Sequence, residues 1–287
     1  MKINGTNFIP LEGTINTRDL GGYQRKDGRR IKEKRLIRSD ALIHITAKDA
    51  KFLKEERNLR YDIDFRSPEE TAAKPEIAID GVKYLNFSVE ESLTSLLPVE
   101  HPHEAYPIPD KNIAGIVSFI YHLDPNGDVT HAREHTYRYF VSGELGRKGY
   151  RKFLHTLYEN KEGACLFHCA DGKDRCGIGT GLLLSLLGRD KEEIIKDYLL
   201  TNVFTKKKAE DQRAYLRNEC KIKNETLINS VGILAGVREN FIRAAFDYID
   251  QNYNGMDAYL HNEMCSSQMK GLKTGETTIL NSFILFP

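Results

Sequence analysis

The chain has 287 residues, of which 40% are hydrophobic, enough to bury a sizeable core. Its 42 Lys and Arg residues nearly balance 41 Asp and Glu residues, and the net charge of +1 argues against a global field that recruits nucleic acid or an anionic membrane. No apolar run reaches the ~18 residues that a membrane span requires, which predicts no stable membrane insertion. We expect one domain, 1–287, that is monomeric.

Two features of the chain bear on its compartment. The first residues, MKINGTNFIPLEG, lack the apolar core of a signal peptide. Five cysteines are an odd number in a long chain, which argues against a disulfide framework and for a reducing environment. We therefore expect a cytoplasmic protein, although a chain that had lost a signal peptide would look the same.

Strand and helix patterns alternate through the first half of the chain. Strand patterns cover 35–38, 61–65, 82–85 and 164–167, and a helical pattern covers 46–57. This alternation is typical of the α/β class, with a mainly parallel central sheet flanked by helices. Ser67 and Pro68 predict a helix start, with Ser67 as the N-cap and Glu70 placed for a capping box.

Residues 88–135 interrupt this alternation. Four prolines lie within residues 98–109, counting Pro98 and Pro109 themselves, and the turn sequence Asp-Pro-Asn-Gly follows at 124–127. We interpret the segment as an insertion that could act as a lid. From Lys191 onward the pattern is almost wholly helical, so the C-terminal third is expected to wrap the sheet or to form one wall of a site.

The sequence HCADGKDRCG, residues 168–177, joins the last strand pattern to an apolar helix pattern at 178–187. Five residues separate Cys169 from Arg175, a spacing that can place a thiolate at the floor of a phosphate-sized bowl and a guanidinium on its rim. Gly172 permits a close approach of the backbone to an anion, and Gly177 is predicted to open the helix. Backbone N–H groups and the positive helix end can then hold phosphate oxygens and favour the thiolate.

At these residues the chain resembles the LipA/PtpB-type bacterial tyrosine and lipid phosphatases, whose signature is HCxxGKDRTG. The resemblance covers nearly the whole chain, because further motifs follow the family's order: NTRDLGGY (16–23), RSDAL (38–42), DFRSPEE (64–70), DYLLTN (197–202) and GVRENFI (236–242). It implies the cysteine phosphatase fold, hydrolysis of phosphate monoesters through a phosphocysteine intermediate, and neither metal nor cofactor. The partners implied are phosphorylated proteins, carrying phosphotyrosine, phosphoserine or phosphothreonine, or phosphoinositides.

Three residues are predicted to carry the chemistry. Cys169 is the candidate nucleophile, and Arg175 can bind two phosphate oxygens through its planar fork. Asp174 is the candidate general acid, because a phosphate dianion beside it favours its protonated form, and the resemblance assigns it the same role. The alternative is that Asp174 points away and pairs with a structural arginine such as Arg18 or Arg66. Asp171 and Glu90 are reserve candidates for the acid.

The remaining candidates bind substrate or support the loop. The predicted substrate-binding set is Ala170, Asp171, Gly172, Lys173, Asp174 and Arg175. Lys173 could bind a second phosphate or be solvated, and Lys206–Lys208 favour a solvated helix face over a lipid contact. His168 is predicted to hold the loop by hydrogen bonding to backbone. Arg18, Asp19 and Arg66 are predicted to brace the loop, with a surface role as the alternative.

Two residues depart from the family's pattern. Asp171 stands where the family usually has a small neutral residue, and Cys176 stands where it has threonine. A threonine hydroxyl there can donate a hydrogen bond to the catalytic sulfur, and a thiol is a weaker donor. We therefore predict that hydrolysis of the phosphocysteine is the slow step.

Two other functions compete with this interpretation. The departures at Asp171 and Cys176 could mark a phosphate-binding module that has lost catalysis. Separately, His131, Glu134 and His135 match H-x-x-E-H, a pattern of zinc hydrolases in which the histidines bind the metal and the glutamate is the base.

Overall fold

The predicted strand segments lie side by side in one sheet. A computed structural model of the chain describes residues 2–3, 6–25, 27–90, 108–265 and 284–285. The sheet strands are β1 (Lys2–Ile3), β2 (Thr6–Phe8), β3 (Arg18–Asp19), β5 (Leu36–Ser39), β6 (Leu59–Asp64), β7 (Lys83–Asn86) and β8 (Ala164–His168), in the spatial order β1-β2-β3-β5-β8-β6-β7. A separate pair joins β4 (Arg30–Ile31) to β9 (Ile284–Leu285).

Strands β5, β8, β6 and β7 run parallel, whereas β1, β2 and β3 add an antiparallel edge. The register pairs Ser39 and Asp64 with His168, so three neighbouring strands end together. The carboxyl edge of a parallel sheet is where α/β proteins commonly bind ligands. The expectation of a mainly parallel sheet flanked by helices is confirmed, and the predicted strand limits hold to within two residues.

Helices cover both faces of the sheet. They are α1 (Ala47–Glu55), α2 (Pro68–Ala73), α3 (Lys111–Leu123), α4 (Thr130–Ser142), α5 (Glu144–Glu159), α6 (Asp174–Leu186), α7 (Lys191–Leu199), α8 (Thr201–Asn218), α9 (Glu225–Ala235), α10 (Glu239–Tyr253) and α11 (Met256–Tyr259), which a π-helical turn, Leu260–Met264, extends. The predicted capping box of Ser67 and Glu70 is present at α2. Thr46 and Asp49 form a second one at α1, which explains why that helix begins where the pattern placed it.

Side chains of β8 alternate between two apolar cores because successive residues of a strand point to opposite faces. Cys165 and Phe167 pack in the larger core with α5, α6 and α10, while Leu166 packs with Leu53 of α1. All five β8 residues are buried. The strand that leads into the predicted loop is thus clamped on both faces.

The segment predicted as an insertion contains regular structure. Helix α3 packs on α8 and α9 through a third apolar cluster that includes Ile120, Leu216 and Leu227, and α4 packs on α10. Residues 91–107 lie outside the described residues, so the lid stays a prediction. The C-terminal part is helical as predicted. No helix within the described ranges combines the length and apolarity needed to cross a membrane.

Candidate active site

The sequence 168–177 forms the turn between β8 and α6. Helix α6 begins at Asp174, four residues before the predicted start, because the polar end of the motif forms the first helical turn. Gly177 therefore lies inside the helix, and the prediction that it opens the helix is wrong. Its hydrogen faces the ring of Tyr198, where a Cβ would come within 2.8 Å of a ring carbon.

The loop backbone bends sharply at Gly172, whose φ of +65° favours glycine. A Cβ there would lie 2.4 Å from the carbonyl oxygen of Ser39, so no larger residue fits. The side chain of Asn16 donates to the carbonyls of Asp171 and Gly172 at 3.0 and 3.1 Å, and Arg38 Nη2 donates to Gly172 at 2.8 Å. Because the N–H of a trans peptide points away from its carbonyl, these bonds turn the loop N–H groups toward the opposite side.

A buried ion cluster holds these braces in place. Asp197 accepts from Arg18 Nε at 3.3 Å, from Arg38 Nη1 at 2.7 Å and from the hydroxyl of Tyr23 at 2.6 Å. Burial raises the pKa of Asp197, but the two guanidinium groups outweigh it and lower the pKa to about 2. Arg18 also donates to Asn16 Oδ1 at 2.5 Å, so it supports the loop through its neighbours.

Asp19 does not take part in this support. Its carboxylate accepts from the N–H groups of Gly21 and Lys34 and pairs with Arg57. The prediction that Asp19 braces the loop is wrong, and so is its surface alternative, because the residue is 1% exposed. Its short side chain is bonded to backbone N–H groups close to it and does not extend to the loop.

Cys169 and Arg175 lie at the two ends of the turn. Cys169 is 2% exposed and Arg175 is 7% exposed. Two carboxylates hold the guanidinium: Glu70 accepts from Nη2 at 2.9 Å, and Glu90 lies 2.7 Å from Nη1. A side chain fixed in this way keeps its fork oriented without an anion, which reduces the entropy lost on binding one.

Asp174, in the first turn of α6, has partners that the sequence analysis did not anticipate. The hydroxyl of Tyr137 donates to it at 2.5 Å, and Arg133 Nη2 lies 2.8 Å away. It therefore pairs with neither Arg18 nor Arg66. Burial raises the pKa of Asp174, but Arg133, Lys173 and the Tyr137 hydrogen bond outweigh it, so the pKa lies below its ordinary value without substrate.

The two reserve acids differ in their surroundings. Burial raises the pKa of Glu90 above its ordinary value, and the attraction of Arg175 offsets only part of that rise. Burial also raises the pKa of Asp171, but the charges of Lys173 and Lys208 outweigh this effect, and the pKa of Asp171 lies below its ordinary value. Glu90 is the reserve whose surroundings favour a bound proton.

Lys173 and Lys208 correct two expectations. Lys173 is 6% exposed, donates to the carbonyl of Leu234 and lies 3.4 Å from Asp171, so it is not solvated. Lys208 Nζ donates to Asp171 Oδ1 at 2.9 Å, whereas Lys206 and Lys207 pair along their own helix. Lys208 therefore does not belong to the solvated face of α8, because the helix passes close enough to the loop for Lys208 to reach Asp171.

His168 lies beneath the loop among carboxylates. Its Nε2 is 3.2 Å from Asp62 Oδ1, and its Nδ1 is 3.3 Å from the carbonyl oxygen of Cys169 and 3.7 Å from Asp64. Burial lowers the pKa of His168, but Asp62, Asp64 and Glu76 outweigh it and raise the pKa to about 10. Arg66 pairs with Asp64 and Glu76, so it braces this cluster and not the loop itself.

Cys176 is fully buried, and burial raises its pKa to about 12. Its thiol donates to the carbonyl of Phe167 at 3.5 Å. The thiol hydrogen is thus directed to the end of β8 and not to Cys169.

The zinc-hydrolase pattern does not form a site in the described residues. His131 and His135 are exposed on α4, and Glu134 is engaged by Arg138 and Asn240. Where potential metal ligands do come together in the described residues, they are Asp62, Glu76 and His168. The alternative based on His131, Glu134 and His135 is therefore wrong for these residues.

Sequence reasoning missed several residues around the loop. They are Asn16, Arg38, Glu70, Arg133, Tyr137, Tyr150 and Asp197. Asn16, Arg38, Glu70 and Asp197 stand inside motifs that supported the resemblance, and each is a polar residue beside an apolar element. That placement could have identified these four as candidate site residues. No comparable sequence feature marks Arg133, Tyr137 or Tyr150.

Comparisons with known proteins place the chain in a family. The model of the family described as "Tyrosine phosphatase family" matches residues 9–274. A Cupriavidus necator protein whose name carries a provisional tyrosine-protein phosphatase assignment is 28% identical over 272 residues, which are 94% of this chain and 89% of that protein. A tyrosine-protein phosphatase of Nostoc commune is 25% identical over 67% of this chain and 49% of its own length.

A third relative is the triple specificity protein phosphatase PtpB of Mycobacterium tuberculosis. It is 31% identical over 121 residues, which are 38% of this chain and 44% of that protein. Since the family model spans nearly the whole chain, the chain belongs to the tyrosine phosphatase family, and it is a phosphatase.

Proposed function

We propose that the protein hydrolyses phosphate monoesters, phosphotyrosine first among them, through a covalent intermediate on Cys169. The observation that carries the proposal is the loop itself: the carbonyls of Asp171 and Gly172 accept hydrogen bonds from Asn16 and Arg38 on one side, so the N–H groups of the same peptides point to the other side, where an anion can bind. Arg175 and the start of α6 add positive charge beside Cys169.

In the first step the Cys169 thiolate attacks phosphorus, forming the S–P bond as the ester P–O bond breaks. Arg175 binds two of the equatorial oxygens, whose negative charge grows in the transition state. Its guanidinium is already oriented by Glu70 and Glu90, so a bound phosphate must compete with these carboxylates for it. The leaving alkoxide or phenoxide departs with a proton.

Asp174 is the proposed source of that proton. Without substrate its pKa is low, but a phosphate dianion in the loop repels its carboxylate and favours protonation. Tyr137, hydrogen bonded to both Asp174 and Tyr198, keeps the carboxyl oriented. In the second step Asp174 accepts a proton from water, which attacks phosphorus, releases phosphate and restores the thiolate.

Glu90 is the second candidate for the acid, because its pKa is raised and it lies against Arg175. The variants Asp174→Asn and Glu90→Gln separate the two roles. Loss of the general acid slows esters with poor leaving groups far more than activated aryl esters. We expect this dependence on the leaving group in Asp174→Asn and an even loss in Glu90→Gln; the reverse pattern would transfer the role to Glu90.

The substrate class is tested by kcat/KM over matched phosphotyrosine and phosphoserine peptides and soluble phosphoinositides. The names of the relatives support phosphotyrosine, and the triple specificity of one relative supports a broader range. We expect phosphotyrosine peptides to exceed the others by at least about tenfold, which corresponds to about 1.4 kcal/mol of transition-state binding. A preference for phosphoinositides would overturn the assignment while preserving the reaction, and no turnover of any ester would indicate a phosphate-binding module.

A further inference from the structure

Three buried polar atoms converge beneath the phosphate loop, and none of them makes a hydrogen bond of good geometry to a described residue. They are Asp62 Oδ1, Glu76 Oε2 and His168 Nε2. Asp62 is 5% exposed and His168 is fully buried. Leaving buried polar atoms unpaired is costly, and one shared partner at this point would satisfy all three.

The spacing of the cluster suits a metal ion. Each of the three residues offers one ligand atom, and these atoms lie within 4.8 Å of one another. The ligands of a tetrahedral zinc ion, with bonds of about 2.0 Å, lie roughly 3.3 Å apart. His168 Nε2 and Asp62 Oδ1 already lie 3.2 Å apart. Glu76 lies between α2 and β7 without regular secondary structure, so its side chain can adjust toward them.

The surroundings of His168 favour the same interpretation. Its Nδ1 faces the carbonyl oxygen of Cys169 and the carboxylate of Asp64. A histidine that binds metal through one nitrogen characteristically donates the N–H of the other to a carbonyl or carboxylate. With Nδ1 as the donor, Nε2 presents its lone pair to Asp62 and Glu76.

Charge and access agree with a divalent cation. Three carboxylates, those of Asp62, Asp64 and Glu76, meet at the cluster, and the guanidinium of Arg66 pairs with two of them, Asp64 and Glu76. Asp62 and Glu76 line a cavity of ≈ 430 Å³ through which an ion and its remaining water ligand can enter. One imidazole and two carboxylates form a ligand set typical of zinc.

We propose that Asp62, Glu76 and His168 bind one zinc ion beneath the phosphate loop, where it ties β6, the segment before β7 and the end of β8 together. This ion is structural and takes no part in phosphate transfer, since it lies on the opposite side of His168 from the Cys169 carbonyl. The inference does not depend on the proposed substrate.

The test is calorimetric titration of EDTA-treated protein with Zn²⁺, performed on Cys169→Ser so that the candidate nucleophile cannot bind the ion. We expect one equivalent to bind, with at least tenfold weaker affinity in Cys169→Ser proteins that also carry Glu76→Gln or Asp62→Asn. Glu69→Gln, a neighbouring exposed carboxylate on α2, is the matched control and should bind as the parent does. Binding that is lost in Cys169→Ser itself would assign the ion to the nucleophile and overturn the proposal.

A second measurement does not depend on the carboxylate variants folding. The Co²⁺ form of Cys169→Ser should show the visible bands of a low-symmetry site with nitrogen and oxygen ligands and no near-ultraviolet thiolate charge-transfer band. A thiolate band would assign the ion to another cysteine. Absence of saturable binding would leave His168 as an imidazolium paired with its carboxylates, and either result would overturn the proposal.

Discussion

Two buried charge clusters support the phosphate loop, and they differ in sign. In the Asp197 cluster, Arg18 and Arg38 surround one carboxylate, and both oxygens of Asp197 are bonded. In the His168 cluster, carboxylates outnumber cationic side chains, and among the described residues Asp62 Oδ1, Glu76 Oε2 and His168 Nε2 make no hydrogen bond of good geometry, although Nε2 and Oδ1 lie 3.2 Å apart. The first cluster places an extra positive charge near a loop built for anions. The second combines three carboxylates with Arg66 and His168, and it is the cluster to which we assign a metal ion.

The largest effect is expected from replacing Cys169, the candidate nucleophile in the loop that both clusters support. Cys169→Ser should lower kcat by more than about a thousandfold, because a serine hydroxyl is not ionised at neutral pH. The affinity for inorganic phosphate should stay within a few fold, since the backbone and Arg175 supply that binding. Steady-state kinetics and phosphate titration check both parts. Substantial turnover in a preparation free of wild type would remove Cys169 from the reaction.

Asp174→Asn should lower kcat by roughly 100-fold or more on esters with poor leaving groups and far less on activated aryl phosphates. It should also flatten the basic limb of the pH profile, because the titrating carboxyl is gone. Tyr137→Phe is the matched control, since it removes the hydrogen bond to Asp174 and keeps the acid. An equal loss across leaving groups would mean that Asp174 shapes the loop instead.

Asp197→Asn removes the shared counter-charge of the first cluster and should cost about 3 kcal/mol in the free energy of unfolding, because two buried guanidinium groups then lack a carboxylate. Since Asp197 has a depressed pKa in the fold, its stabilisation is fully present above pH 4 and is lost as the pH falls toward 2. Denaturant unfolding at several pH values measures this. A variant whose stability declines with acid as steeply as wild type would contradict the assignment.

Asp62→Asn in EDTA-treated protein should cost less, about 1 kcal/mol, because it weakens the pairing with His168 but also relieves repulsion among carboxylates. Chemical denaturation beside Asp197→Asn gives the comparison directly. A loss as large as that of Asp197→Asn would show that the carboxylate of Asp62 stabilises the fold as much as that of Asp197, which would contradict the proposed difference between the two clusters.

Cys176→Thr is expected to have the smallest effect, an increase in kcat of up to about tenfold. The native thiol directs its hydrogen to Phe167, so Cys169 receives no hydrogen bond from it as a leaving group. A threonine hydroxyl is a stronger donor and can supply that bond. Stopped-flow kinetics on an activated ester should show a burst in wild type and a smaller one in the variant. A wild type without a burst, beside an unimproved variant, would contradict the slow-step hypothesis.

Local signals in the sequence were sufficient for the elements that carry the site. The β8 pattern, the capping box at Ser67 and the cysteine-to-arginine spacing each depend on neighbours within a few residues. The start of α6 was misplaced because the polar residues of the loop hide a helical turn whose periodicity begins only with Ile178. The role of Asp19 failed because a short side chain binds its own turn before it reaches a distant loop.

By itself, then, the sequence determined the fold class, the family and the position of the phosphate loop, because periodicity, caps and motif spacing are local properties of the chain. Only the tertiary structure decided which charges meet. Asp174 contacts Arg133 and Tyr137 of α4. Asp197 pairs with Arg18 and Arg38, and His168 lies against carboxylates of the neighbouring strand β6. Such pairs form between residues that the sheet order and the helix packing bring together, and pKa values and metal ligation depend on those distances rather than on sequence separation.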